Sequence, residues 1–221
     1  MSSKITKMIE LRKKGQETTI DLSKGASAMP AGPIVANLNW TQKKAQGFWK
    51  SLFAKDLDLD LGCFYELQDG TKSVIDALQF SNRGGSRRVV SKQGCFVQKP
   101  WIWHTGDDRT GAQSAGEFIE VNPEGLKDIK RIDFYAYIYL ERGEVAKWAD
   151  SDAVITLKIP GHNDIVISMS ELTSPQSFAV LCNLEFTSTG IKVTNANTFH
   201  DSHSEADSYH GWGMRWRAGS K

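Results

Sequence analysis

Short runs of alternating hydrophobic and polar residues follow one another along most of this chain, and Gly, Asn, Asp and Pro separate them. Alternation with a period of two residues is typical of strands with one buried face, and frequent turn residues are typical of a β-sandwich. We therefore predict an all-β fold, a β-sandwich of two mostly antiparallel sheets with few short helices. The predicted strands are Thr18–Leu22, Pro33–Trp40, Leu57–Leu67, Ser73–Leu78, Phe118–Val121, Arg131–Leu140, Asp152–Ile159, Asp164–Ser168, Ala179–Thr187 and Gly190–Val193.

Five segments add detail to this pattern. Ile132–Leu140 is almost continuously apolar, which predicts a central strand covered on both faces. Thr41–Lys55 has helical spacing and could be an insertion between strands, and Pro123–Asp128 predicts a single helical turn. Residues 1–15 could form an amphipathic start, an edge strand or a frayed tail. Thr194–Ser208 is rich in Ser, Thr and Asn and predicts a long surface loop.

Composition and charge narrow the class of protein. With 221 residues, 40% hydrophobic and 24% charged, the chain can bury a core, and we predict a single domain over residues 1–221. The net charge of +1 gives no overall field that would recruit nucleic acid. No apolar stretch follows the basic N-terminal segment, so we predict neither a secretory signal nor a membrane span. We therefore predict a cytoplasmic location. Cys63, Cys95 and Cys182 are odd in number and widely spaced, which argues against a disulfide framework.

Acidic residues cluster in two segments. In a strand, Asp56, Asp58 and Asp60 would share one face and repel one another. Unless that face is simply solvated, a cation that accepts oxygen ligands would relieve the repulsion, and Ca²⁺ takes about six to eight of them. The spacing does not fit an EF-hand, which needs Gly and Glu where this chain has Leu61 and Leu67.

The second acidic segment could complete such a site. Asp107 and Asp108 lie between Gly106 and Gly111, and the two glycines allow tight turns. A solvated acidic surface remains the alternative to a bound metal.

These motifs resemble the tellurium-resistance TerD-type domain. The resemblance rests on Asp56–Phe64, His104–Gly111 and Glu117–Asn122 in this order, with Ile20–Gly25 before them, and extends to about Leu140. The ending, His210–Arg217, is more similar to the TerA branch than to TerD itself.

The resemblance implies a β-sandwich that binds Ca²⁺, serves a tellurite-resistance or stress system with other Ter-system proteins as partners, and has no catalytic activity. The metal ligands it implies are Asp56, Asp58, Asp60, Asp107, Asp108 and Glu117. The chain departs from the family pattern at Ala115 and Gly116, where an acidic pair is usual. Since family members can hold two adjacent ions, this departure implies that one site is weakened or absent.

Three other groups of residues suggest ligand binding. His200, His203, Asp207 and His210 could hold zinc or could be incidental in a polar loop. The arginines of Asn82–Arg88 suit a phosphate, but a solvated hairpin turn is favoured because no nucleotide-binding motif surrounds them.

Trp101 and Trp103 would share one face of an extended segment. Buried, they belong to the core, which we favour; exposed, they could stack on sugars.

A non-enzymatic calcium-binding protein is therefore the leading hypothesis, in which the ion joins two acidic loops and shapes a surface for partner proteins. A metal-dependent phosphoesterase that uses the same carboxylates is the first alternative. A calcium-dependent carbohydrate-binding sandwich is the second. The sequence lacks the G-x-S-x-G motif of nucleophilic hydrolases.

Overall fold

The computed structural model describes residues 8–23, 29–40, 59–80, 85–106, 116–138, 148, 153–168 and 173–217. In chain order, the strands are β1 (Met8–Glu10), β2 (Glu17–Asp21), β3 (Ile34–Asn39), β4 (Leu59–Leu67), β5 (Lys72–Asp76), β6 (Gly94–Cys95), β7 (Ile102–His104), β8 (Glu117–Val121), β9 (Ile129–Ile138), β10 (Val154–Lys158), β11 (Asp164–Ser168), β12 (Phe178–Phe186) and β13 (Gly190–His200). Among the described residues, the helices are two single turns, Ala77–Gln79 and Pro123–Gly125, and one α-helix, α1 (His203–His210).

These strands form two sheets. The first has the order β1-β11-β10-β3-β8-β7-β6, and the second has the order β2-β13-β12-β9-β4-β5. The neighbouring strands pair antiparallel except β1 and β11, which pair parallel. The prediction of an all-β sandwich with mostly antiparallel sheets is confirmed.

An apolar core fills the space between the two sheets. On β4, side chains alternate so that Leu59, Leu61 and Cys63 join this core. Asp60 and Phe64 therefore point to the opposite face of the second sheet. Strand β9 is buried on both faces along most of its length, as its continuous apolar run predicts.

A second apolar cluster covers the opposite face of the second sheet. We call it the outer cluster; its buried members are Phe64, Tyr135, Tyr137, Phe178, Val180, Ala196, Ala206 and Trp212. Ala206 lies on α1 and Trp212 lies just after it, so the C-terminal segment forms a third layer on the sandwich. This third layer explains why β4 and β9 are apolar on both faces.

Polar contacts fix the C-terminal segment in place. Ser202 caps the start of α1 by accepting a hydrogen bond from the Glu205 N–H, and Gly211 ends it with φ of 68°, a conformation that favours glycine. The Asp207 carboxylate accepts hydrogen bonds from the Gly213 and Met214 N–H groups. The tail therefore turns back onto the sheet directly after the helix.

The structure corrects one predicted segment. Thr194–Ser208 is wrong as a surface loop, because β13 continues to His200 and α1 begins at His203. Its polar residues are accommodated by internal partners; the Asn195 side chain, for example, donates to the Leu11 carbonyl at 2.7 Å.

Three short strands, β1, β6 and β7, were not among the predicted strands. Of the three alternatives for residues 1–15, the structure shows an edge strand, β1, at Met8–Glu10. The predicted helical insertion at Thr41–Lys55 lies outside the described residues.

Candidate functional site

The structure describes two of the six predicted calcium ligands. Asp60 is the second residue of β4 and Glu117 is the first residue of β8, and both are fully buried. Asp56, Asp58, Asp107 and Asp108 lie outside the described residues. Among the residues that are described, no group of three or more His, Cys, Asp or Glu side chains could hold a metal ion.

The backbone of Leu61 connects the two described ligand positions. Strand β5 pairs with β4 only as far as Gly62, and no other strand among the described residues pairs with this edge of β4. There the Leu61 N–H donates to Glu117 Oε2 at 2.7 Å, and the Leu61 carbonyl lies 3.0 Å from His104 Nε2. Two side chains from the first sheet therefore satisfy both backbone groups of Leu61 in the second sheet.

The hydrogen bonds of His104 define the tautomer of its ring. The Gly106 N–H donates to Nδ1 at 3.1 Å, so Nδ1 carries no proton. Nε2 therefore carries the hydrogen and donates to the Leu61 carbonyl. The ring is fully buried beside Phe80, with a centroid distance of 5.1 Å. His104 is accordingly a neutral imidazole that uses both nitrogens.

His104 bridges the two acidic segments. One nitrogen holds Leu61, which follows Asp60, and the other holds Gly106, which precedes Asp107. That the two segments together form a metal site stays a prediction, since the second acidic pair lies outside the described residues. Neither the His104 ring nor the Leu61 backbone was among the predicted metal ligands.

The residues present fit a hard cation in their chemistry, because carboxylate oxygens are the donors that Ca²⁺ prefers. Glu117 Oε2 accepts the Leu61 N–H at 2.7 Å. Asp60 points to the opposite face of β4 from the inter-sheet core. The two described carboxylates therefore approach the end of β4 from different sides.

A second buried carboxylate group lies on the same face as Asp60. Asp76, at the end of β5, accepts a hydrogen bond from the Tyr135 hydroxyl at 2.6 Å, and His203 Nε2 lies 2.9 Å from the same oxygen. Asp76 was predicted only as part of a strand, since nothing in its local sequence marks a polar cluster.

The three C-terminal histidines do not converge on one point. His200 and His210 both direct Nε2 toward the Thr198 hydroxyl, at 3.0 and 2.8 Å, whereas His203 contacts Asp76. Burial lowers the pKa of His210 to about 4 and also lowers the pKa of His200. These contacts join the C-terminal layer to the sheet.

Asp133 lies beneath this layer, on β9. Burial raises its pKa to about 6, although the Trp212 ring N–H donates to its carboxylate at 2.9 Å. His210 Nδ1 is 3.8 Å from the same carboxylate, which is beyond hydrogen-bond distance. Both residues line a polar groove of about 280 Å³ together with Arg131, Glu185 and Lys192.

Trp101 and Trp103 lie in different environments. Trp101 packs against the inter-sheet core, and its ring N–H donates to Asp128 at 3.0 Å. Trp103 is partly buried on β7. Trp101 thus has the core role that the sequence analysis favoured.

The fold defines the class of protein, a two-sheet β-sandwich. Its two sheets are joined where β4 and β8 begin and where β7 ends. No protein-family model matches the chain. A homologue of the telluride resistance protein TerD from Streptomyces coelicolor A3(2) has a similar structure, with a TM-score of 0.53 and 13% identity, covering 77% of this chain and 91% of that one.

A solved protein of unknown function is similar to the same degree, with a TM-score of 0.54 and 12% identity, covering 79% of this chain and 91% of that one. At such low identities, these structures show the fold alone.

The tellurium resistance protein TerA of Alcaligenes sp is 34% identical over 209 residues, which are 93% of this chain and 57% of that protein. The chain thus spans little more than half the length of this relative. Together the sequence and structural similarities show a TerD/TerA-like protein, as the motif resemblance implied.

Proposed function

We propose that this chain is a non-enzymatic, calcium-binding protein of a tellurium-resistance or stress system. The ion is held between the segment that contains Asp56, Asp58 and Asp60 and the segment that contains Asp107 and Asp108. The observation that supports this proposal most directly is the His104 bridge, which ties Leu61 to Gly106 at the inner ends of the two segments. The name of the TerA relative supports the resistance role.

The ion would act mainly on the arrangement of the loops. Several carboxylates at one end of the sandwich repel one another, and a bound cation turns that repulsion into attraction. The loops would then present a fixed surface to partner proteins, which we propose to be other Ter-system proteins in the cytoplasm. In this role, the chain itself performs no chemical step.

Calorimetric titration of Ca²⁺ into chelator-treated protein tests the proposal. We expect saturable binding in the wild type, and a loss of binding in Asp107→Asn, which removes one charge with little change in shape. Asp201→Asn is the matched control, since Asp201 is exposed before α1 and outside both acidic segments. It should bind Ca²⁺ like the wild type.

The specificity of the site is tested by the same titration with Mg²⁺ and Zn²⁺. Mg²⁺ demands a near-octahedral shell and retains water, so it should bind more weakly than Ca²⁺. Heat signals of equal size in the wild type and in Asp107→Asn would show that the ion binds elsewhere.

A further inference from the structure

One part of the surface is strongly basic. Between Ala77 and Gly106 the chain has five Lys or Arg residues and no Asp or Glu, although the net charge of the whole chain is only +1. Four of the five lie in residues 85–99, which we call the basic hairpin, and the fifth, Arg83, lies outside the described residues. The charge of this segment is therefore opposite to that of the acidic segments.

The basic hairpin also exposes aliphatic side chains. Val89, Val90 and Val97 are 60%, 58% and 45% exposed. Within the described residues, they are half of the large hydrophobic side chains with such exposure; the others are Met8, Met29 and Tyr209 at separate positions in the sequence. An apolar group concentrated in one hairpin and accompanied by cations indicates an interaction surface.

Hydrogen bonds hold the basic hairpin, with its exposed valines, in place on the sandwich. The Phe96 N–H donates to the Arg87 carbonyl at 2.8 Å, and the Asn122 side chain donates to the Phe96 carbonyl at 2.8 Å. The Gln93 side chain donates to the His104 carbonyl at 3.2 Å. The hairpin backbone is thus attached to the end of β7 and to Asn122 after β8, whereas the valine side chains are exposed.

Two of the cations have partners within the fold and two point to solvent. Arg87 pairs with Glu120 at 3.1 Å, and Lys99 pairs with Asp69 at 2.7 Å. Arg88 and Lys92 are exposed, and the described part of the chain places no carboxylate within ion-pair distance of either. These two cations are therefore available to an external anion beside the valines.

We propose that the basic hairpin docks on an anionic lipid bilayer. Val89, Val90 and Val97 enter the boundary between headgroups and acyl chains, and Arg88 and Lys92 contact lipid phosphates. Basic residues near an anionic membrane and shallowly buried apolar side chains contribute in this way to peripheral binding.

The chemistry of the hairpin favours a bilayer over other anionic partners. Single-stranded nucleic acid is usually held by stacking on aromatic rings, whereas the exposed side chains here are aliphatic. The cores of protein interfaces are enriched in aromatic residues, whereas the exposed hydrophobic side chains of this hairpin are three valines. A bilayer needs only a small apolar tip that is surrounded by positive charge.

Flotation of the full chain with lipid vesicles tests the proposal. Vesicles of phosphatidylcholine alone are compared with vesicles that also contain phosphatidylglycerol, and chelator is present so that the result does not depend on calcium. We expect binding to the anionic vesicles only. Arg88→Gln with Lys92→Gln should weaken it by roughly 30-fold, since each basic residue contributes about fivefold.

Two further variants separate the valines from the charge. Val89→Ser with Val90→Ser should remove the binding that persists at high salt. Lys127→Gln with Lys158→Gln is the matched control; both lysines are exposed in other elements, and this variant should bind like the wild type. The far-ultraviolet circular dichroism of each variant establishes that it is folded.

Three results would overturn the proposal. The first is no flotation of the wild type with anionic vesicles. The second is equal binding by the wild type and the hairpin variants, which would place the contact elsewhere. The third is binding to RNA or polyglutamate without binding to vesicles, which would make the partner another macromolecule.

Discussion

At the scale of single residues, His104 is the group on which the arrangement of the candidate site depends most. It is buried and uses both ring nitrogens; one partner, Leu61, lies in the second sheet, and the other, Gly106, lies in the loop that follows β7. A buried hydrogen bond that loses one partner leaves the other unsatisfied, at a cost of about 1–3 kcal/mol. The two contacts of His104 can be removed separately, which makes its role testable.

Asparagine and glutamine each reproduce one half of the histidine. In His104→Asn, the side-chain oxygen can still accept the Gly106 N–H, whereas the donor to Leu61 is lost. In His104→Gln, the amide can reach the Leu61 carbonyl, whereas the contact with Gly106 is lost. We expect each variant to lower the free energy of unfolding by about 1–3 kcal/mol, as measured by urea denaturation.

Hydrogen exchange at the Gly106 amide distinguishes the two variants. Exchange should be faster than in the wild type for His104→Gln and close to the wild type for His104→Asn. Equal exchange rates in the two variants would contradict the assigned hydrogen bond to Nδ1.

Asp133 and His210 make opposite contributions to the pH dependence of stability. The pKa of Asp133 is raised to about 6, so its contribution is fully present below its ordinary pKa near 4 and is lost as the pH rises through 6. The pKa of His210 is lowered to about 4, so its contribution is present above its ordinary pKa of 6.5 and is lost as the pH falls through 4. Between these limits the two effects oppose each other.

Separate substitutions should expose the two effects. Asp133→Asn should lose about 2–3 kcal/mol of stability as the pH falls from 6.5 to 4, since the lowered pKa of His210 is then unopposed, and His200 acts in the same direction. His210→Gln should instead gain stability from Asp133 over the same range. Urea denaturation at several pH values measures both trends, and parallel pH profiles for the two variants would contradict the assignment.

At the scale of secondary structure elements, the sequence predicts most of the sandwich, since alternation marks strands with one covered face. The limits of the prediction follow from contacts between distant residues. Thr194–Ser208 looks like a loop because its polar residues are many, yet the second sheet and the Ser202 cap supply them with partners. The short strands β6 and β7 have too few residues to show a period.

Only part of the candidate site could be predicted from the sequence. Spacing and charge single out the acidic segments, since three carboxylates on one face need an explanation. The bridge through His104 cannot be read from spacing, because it depends on where β5 stops pairing with β4. The outer cluster could not be predicted from the sequence either, because its members come from four strands and the C-terminal segment.

The packing of β4 against β9 gives a prediction at this scale. Gly62 lies under the Tyr135 ring, and a Cβ atom at this position would overlap that ring. Gly62→Ala should therefore displace Tyr135 from Asp76 and lower the free energy of unfolding by about 1–3 kcal/mol.

A matched glycine checks this explanation. In Gly32→Ala, the new Cβ meets only Pro160 at an ordinary contact distance of 3.7 Å, so this variant should unfold like the wild type. Equal stability of the Gly62 and Gly32 variants in urea denaturation would show that the Tyr135 ring can move at little cost.

At the scale of the whole molecule, the fold has three layers and places different chemistry at different parts of the surface. His104, at the end of β7, contacts Leu61 near the start of β4, whereas the basic hairpin leads into β7. No helix among the described residues is long and apolar enough to cross a membrane. The proposed calcium site and the proposed lipid-binding hairpin involve different residues, and each can be tested alone.

Thermal unfolding with and without Ca²⁺ tests the central claim most directly. A ligand that binds only the folded state stabilises it by about 2.7 kcal/mol at 100 times its Kd, which corresponds to a rise in Tm of roughly 5–10 °C for a chain of this size. We predict such a rise with Ca²⁺ for the wild type and its absence in Asp107→Asn. An unchanged Tm at millimolar Ca²⁺, or an equal rise in both proteins, would contradict a calcium site between the two acidic segments.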